Sequence, residues 1–154
     1  MPALVEALPH DLQERPVHSL ILRNLPRSGV CLPPGRADRE INMRVLVIED
    51  DRASQELARR VIAALGHDVL VASDGPEGLE VLARERPDAL VVDMRLPTMN
   101  GWIVAAEARR AFPRLRIVGV SAGLADERER AVAAGCDSFV EKPYDLKALR
   151  AAIS

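Results

Sequence analysis

Acids, a hydroxyl and one ammonium recur at the ends of apolar runs in this sequence. Glu49, Asp50 and Asp51 follow RVLVI, Asp93 closes DALVVD, Ser121 closes RIVGVS, and Glu141-Lys142 follow SFV. Like charges so close together repel one another, and surface decoration rarely needs that density. Three or more carboxylates gathered at one place demand a cation, and a hard oxygen set with open coordination positions suits Mg²⁺. Such an ion keeps water at its open positions, ready to exchange for phosphoryl oxygens. A lysine opposite the metal-bound carboxylate, with a hydroxyl nearby, completes a clamp for a phosphoryl group. The chain has 21 basic residues, of which only Lys142 and Lys147 are lysines. A lysine at this point therefore suggests that a compact ammonium is wanted.

These residues can meet only if the intervening chain brings the apolar runs side by side. RVLVIE (44–49) reads as a buried strand. Leu57, Val61, Ala64 and Leu65 then recur at helical spacing, and Gly66 closes the helix. HDVLVA (67–72) is a second strand. Pro76 suits the first turn of a helix that turns Leu79 and Leu82 inward and runs to Arg86, before Pro87 breaks it. DALVVD (88–93) is a third strand. The loop RLPTMNG leads to a helix from about Trp102 to Phe112, with Asn100 for its cap. RIVGVS (116–121) and SFVE (138–141) are strands four and five, separated by a helix over 126–134 that Gly135 ends. Leu146, Leu149 and Ile153 mark the last helix. Strands alternating with helices over short connections predict a parallel sheet covered on both faces. In such a sheet, ligands bind outside the carboxyl ends of the strands, where the acids, Ser121 and Lys142 fall.

Composition narrows the function classes. Among 154 residues, 48% are hydrophobic and only 3% aromatic, so the core is aliphatic. A net charge of −2 gives no electrostatic case for nucleic acid. No apolar run approaches the roughly 18 residues of a membrane span. No leader pattern opens the chain, so a cytoplasmic location is expected. Cys31 and Cys136 match no ligand spacing and read as reduced thiols. His10, His18 and His67 sit in poor settings for chemistry.

Residues 1–42 differ from the rest. They hold six of the eleven prolines and balance five acids with five arginines. The expectation is a mobile N-terminal extension before a domain over 43–154, with VHSLILRNL (17–25) as its one helical candidate. Met43 as the true start is the alternative.

Residues 43–154 resemble the receiver domains of bacterial two-component response regulators. Glu49 and Asp50 match that family's acidic pair, with Glu where Asp is common. Asp93, in DMRLPTMNG, matches its phosphoacceptor. Ser121-Ala122 matches the switch hydroxyl, Phe139 the switch aromatic, and Lys142-Pro143 the lysine and its cis-proline turn. The resemblance implies a flavodoxin-like, doubly wound five-stranded sheet in the order 2-1-3-4-5. It also implies a partner histidine kinase or histidine phosphotransfer protein that delivers a phosphoryl group to Asp93. Mg²⁺ would be held by Asp50, Asp93 and the backbone carbonyl of Arg95, with Glu49 reaching it through water. Ser121 and Phe139 would then remodel the face made by the fourth helix, fifth strand and last helix. With the chain ending at Ser154, the readout is expected to be a downstream protein, onward phosphotransfer or a drain on a shared kinase. Asp51 reads as a helix cap rather than a ligand.

Two other classes compete. A Mg²⁺-dependent phosphatase would commonly carry a second acid two residues after the key aspartate, where this chain has Arg95. A binding module that is never phosphorylated would not need the full set of acids, hydroxyl and lysine. Hydrolysis of an acyl phosphate would depend on the side chains at Arg95 and Gly123. Neither holds a nucleophilic water, which points to a long-lived phosphoryl group.

Overall fold

The computed structural model describes residues 42–123 and 125–154. VHSLILRNL, Cys31, His10 and His18 lie outside them. Five strands alternate with five helices: β1 (Arg44–Ile48), α1 (Arg52–Ala64), β2 (Asp68–Ala72), α2 (Gly75–Glu85) and β3 (Ala89–Asp93) come first. They are followed by α3 (Gly101–Ala111), β4 (Arg116–Ser121), α4 (Glu127–Ala134), β5 (Ser138–Glu141) and α5 (Leu146–Ile153). All pairings are parallel, and the strand order is β2-β1-β3-β4-β5. This is the doubly wound flavodoxin-like arrangement expected from the sequence.

Side chains on a strand alternate between faces, and the core divides accordingly. Leu46, Ile48, Leu90, Val92 and Ile117 face Leu79 and Leu82 of α2, Ile103, Val104 and Ala108 of α3, and Ala131 of α4. Val45, Val47, Val91, Val118 and Val120 face Ala58 and Ile62 of α1 and Leu149 and Ile153 of α5. Three helices therefore cover one face and two the other.

The apolar face of α1 is one position away from the expected one. Ala58 and Ile62 are fully buried, whereas Leu57 is 47% exposed and Val61 and Leu65 are half-buried. Ala58 and Ile62 are one turn apart, and the short alanine lets the helix lie close to the valines of the sheet. Helix starts are held by acids: Asp51, Asp74 and Asp145 accept from the amides of Ser54, Glu77 and Ala148 at 2.8, 2.9 and 2.8 Å. Asn100 occupies the cap position of α3 but makes no side-chain capping bond.

Asn42, placed in the extension by its composition, exchanges bonds with Asp68, and the Met43 amide donates to His67 Nδ1 at 3.2 Å. Cys136 is buried, and desolvation pushes its thiol up to about 12, which fits a packing role. Among the described residues, no helix is long and apolar enough to cross a membrane.

Candidate phosphoacceptor and metal site

Sheet pairing carries Glu49 past the end of β1. Its amide donates to the Ala72 carbonyl at 3.1 Å, and the residue is only 5% exposed. Asp50, the next residue, turns out to solvent. Asp93 ends β3, two strands' width from β2 and 7% exposed. Carboxylate oxygens of Glu49, Asp50 and Asp93 lie within 4.8 Å of one another. Among the described residues this is the one acidic group with the spacing of a cation site.

Gly101 makes room for this arrangement. A Cβ there would lie 2.1 Å from the Asp93 carbonyl oxygen, so only glycine lets α3 begin against the backbone of β3.

Lys142 enters from the turn after β5. Its amide donates to the Ser121 carbonyl at 2.7 Å, and the Lys142–Pro143 peptide is cis. The ammonium lies 2.6 Å from Glu49 Oε2 and 2.9 Å from Asp93 Oδ2. Burial pushes the Glu49 carboxyl up to about 7, although Lys142 and the Asp51 amide pull it down. Burial also works against the Lys142 ammonium, but its bonds to Glu49 and Asp93 outweigh that and raise its pKa.

The second oxygens are held by backbone. Glu49 Oε1 accepts from the Asp51 amide at 3.1 Å, and Asp93 Oδ1 accepts from the Arg95 amide at 2.8 Å. Each carboxylate oxygen has lone pairs to spare beyond these bonds. The donors are all hard oxygens, with no imidazole or thiolate among them, and this set fits Mg²⁺. Asp51 is turned toward α1, whose Ser54 amide holds its carboxyl below the usual range.

Ser121 ends β4 beside Asp93 and is 1% exposed. Its Oγ donates to Glu127 Oε2 at the first residue of α4. Glu127, 5% exposed, also accepts from Arg95 Nε at 2.6 Å. Sequence reasoning missed this residue. An acid in a first helical turn ordinarily complements the helix dipole, and nothing in the spacing of 121 and 127 marks them as partners.

The Arg95 guanidinium thus lies on Glu127. Phe139 is half-buried in β5, and the Arg128 guanidinium sits 5.3 Å from its ring centroid. It borders a groove shared with Val140, Tyr144 and Ala148 along α4, β5 and α5.

The match to known proteins agrees with this geometry. Residues 45–154 match the response regulator receiver domain. The response regulator MprA of Mycobacterium leprae is 40% identical over 112 residues, 72% of this chain and 49% of that protein. MprA of Mycobacterium avium is 39% identical over 110 residues, 71% of this chain and 48% of its own length. The chain spans about half the length of these curated relatives.

Among solved structures, a putative response regulator from Chloroflexus aurantiacus superposes with a TM-score of 0.69 at 25% identity, covering 73% of this chain and 94% of that one. The receiver domain of the Pseudomonas aeruginosa sensor histidine kinase PA1611 has a magnesium ion coordinated in its active site cleft. It superposes with a TM-score of 0.68 at 27% identity, over 73% of this chain and 94% of its own. A five-stranded sheet in this order, with its acids, hydroxyl and lysine at one edge, places the chain in the response regulator receiver-domain family of two-component systems.

Proposed function

We propose that this chain is a phosphorylation-activated switch that accepts a phosphoryl group on Asp93 from a phosphohistidine of a partner kinase or phosphotransfer protein. The observation that carries this reading is the setting of the Asp93 carboxylate, within 4.8 Å of oxygens of Glu49 and Asp50 and 2.9 Å from the Lys142 ammonium. Asp93 forms the new oxygen–phosphorus bond as the donor's nitrogen–phosphorus bond breaks, and the departing imidazole nitrogen keeps the electron pair and takes up a proton. Asp50, Asp93 and the Arg95 carbonyl would hold Mg²⁺, with Glu49 reaching it through water. When bound, the ion supplies positive charge to the phosphoryl oxygens. Lys142 meets another of those oxygens from the opposite side. Positioning and charge are most of what this transfer needs, so the domain catalyses its own modification and otherwise signals.

Ser121 then bonds the acyl phosphate, and Phe139 moves inward beside it. The groove bordered by Phe139 and Tyr144 changes shape, and a downstream protein reads the α4-β5-α5 face. This is a population shift between two packings, biased by one charged group. It suits a cytoplasmic protein, and residues 43–154 are sufficient for it. A Mg²⁺-dependent phosphatase is disfavoured, because the position two residues after Asp93 presents a guanidinium engaged with Glu127.

Amide NMR spectra recorded before and after phosphorylation test the switch. Shifts should concentrate at 93–95, 121–128 and 138–144. Changes confined to the neighbourhood of Asp93 would leave the α4-β5-α5 face without a role.

A further inference from the structure

We infer that Glu127 is an internal competitor of the phosphoryl group. It holds the Ser121 hydroxyl in the resting protein and sets how readily the switch closes. This deepens the proposed function and rests on it. Ser121 Oγ and Arg95 Nε bracket the two oxygens of one buried carboxylate, Ser121 on Oε2 and Arg95 on Oε1 at 2.6 Å. A serine hydroxyl has a single proton to donate. It therefore cannot bond Glu127 and a phosphoryl oxygen on Asp93 at once, and the two bonds are mutually exclusive.

Arg95 makes the resting bond durable. Its backbone is tied to Asp93 Oδ1 at 2.8 Å, and its side chain holds Glu127 from the far oxygen. The carboxylate is thus anchored both to the β3 end and to α4. Glu127 opens α4, so releasing Ser121 also frees the start of the helix that borders the Phe139 side of the protein. Glu127 is a positioning residue: it acts through the Ser121 hydroxyl that it holds.

Calorimetric titration with beryllofluoride in saturating Mg²⁺ reads the competition directly, since the probe occupies the phosphoryl position without turnover. Glu127→Gln should bind it about tenfold more tightly than wild type, equivalent to about 1.4 kcal/mol. In a Ser121→Ala background the same substitution should change affinity less than about twofold, because the hydroxyl it competes for is gone. Glu127→Asp keeps the charge at the helix start but withdraws it by one methylene. It should tighten binding by a smaller factor, and it decides the matter if the Gln variant does not fold.

Unchanged or weaker binding in the Glu127 variants overturns the inference. So does a gain that persists without Ser121, which would show mere relief of charge repulsion. Absence of any beryllofluoride binding by wild type would instead sink the receiver mechanism itself.

Discussion

Replacing Lys142 with Met removes the ammonium that bridges two buried carboxylates, at 2.6 Å from Glu49 and 2.9 Å from Asp93. Hydrogen bonds to charged groups contribute about 1.5–3 kcal/mol each, which sets a ceiling of about 3–6 kcal/mol. Two effects reduce it. The lysine side chain is 26% exposed, so water screens part of the attraction. Glu49, already pushed up to about 7, takes a proton more readily once the ammonium is gone. A net loss of about 2–3 kcal/mol remains in Mg²⁺-free protein, or about 8–12 °C in melting temperature at this size.

The sign with pH follows from linkage. Folded Glu49 keeps its proton up to about 7, whereas the unfolded residue releases it near its ordinary value of 4.5. This group's contribution to stability is full below that lower value and falls as pH rises toward 7. Without Lys142 the folded value moves higher still, so the variant's deficit widens on the alkaline side of neutrality and narrows on the acid side. Added Mg²⁺ should raise the melting temperature of the variant more than that of wild type, because the ammonium no longer competes for the same oxygens. Labelling by acetyl phosphate should nevertheless fall about 100-fold or more, since one cation facing the phosphoryl oxygens is lost. A Mg²⁺-free variant that melts with wild type at every pH would refute this account of the site's electrostatics.

Asp50→Ala should abolish Mg²⁺-dependent labelling, while Asp51→Ala should leave labelling intact and only loosen the start of α1; phosphorylation assays and melting curves on both variants check this. Arg95→Asn should shorten the lifetime of the phosphoprotein, followed by loss of mass over time, because an amide can hold a water that arginine cannot. Deleting residues 1–41 should preserve both melting temperature and labelling, and a large drop in either would show that the segment packs on the domain.

The strands were legible because each is a short β-branched run bounded by glycine, proline or acid, and because a parallel sheet delivers its strand ends to one edge. That edge, read from Glu49, Asp93, Ser121 and Lys142, is where the structure gathers them. Helix faces were less legible. In α1 the large exposed Leu57 outweighed the small Ala58 in a hydrophobic pattern, although close packing favours the smaller residue.

Glu127 was invisible because it reaches Ser121 from a helix, across a connection whose course no local pattern specifies. For the same reason the Arg95–Glu127 ion pair had no local signature. Gly123 adds a constraint of its own: its φ is +89°, and a Cβ there would meet the Glu141 side chain at 3.3 Å. A Gly123→Glu substitution, which would complete a water-holding pair with Asn at 95, is therefore strained in the backbone before any chemistry is tested.

The most direct test of the central claim is intact mass after incubation with acetyl phosphate and Mg²⁺. Wild type should gain a single phosphoryl group that hydroxylamine removes and that does not form when Mg²⁺ is chelated, and Asp93→Asn should gain none. Equal labelling of wild type and Asp93→Asn, or a wild type that never gains the mass, would contradict it.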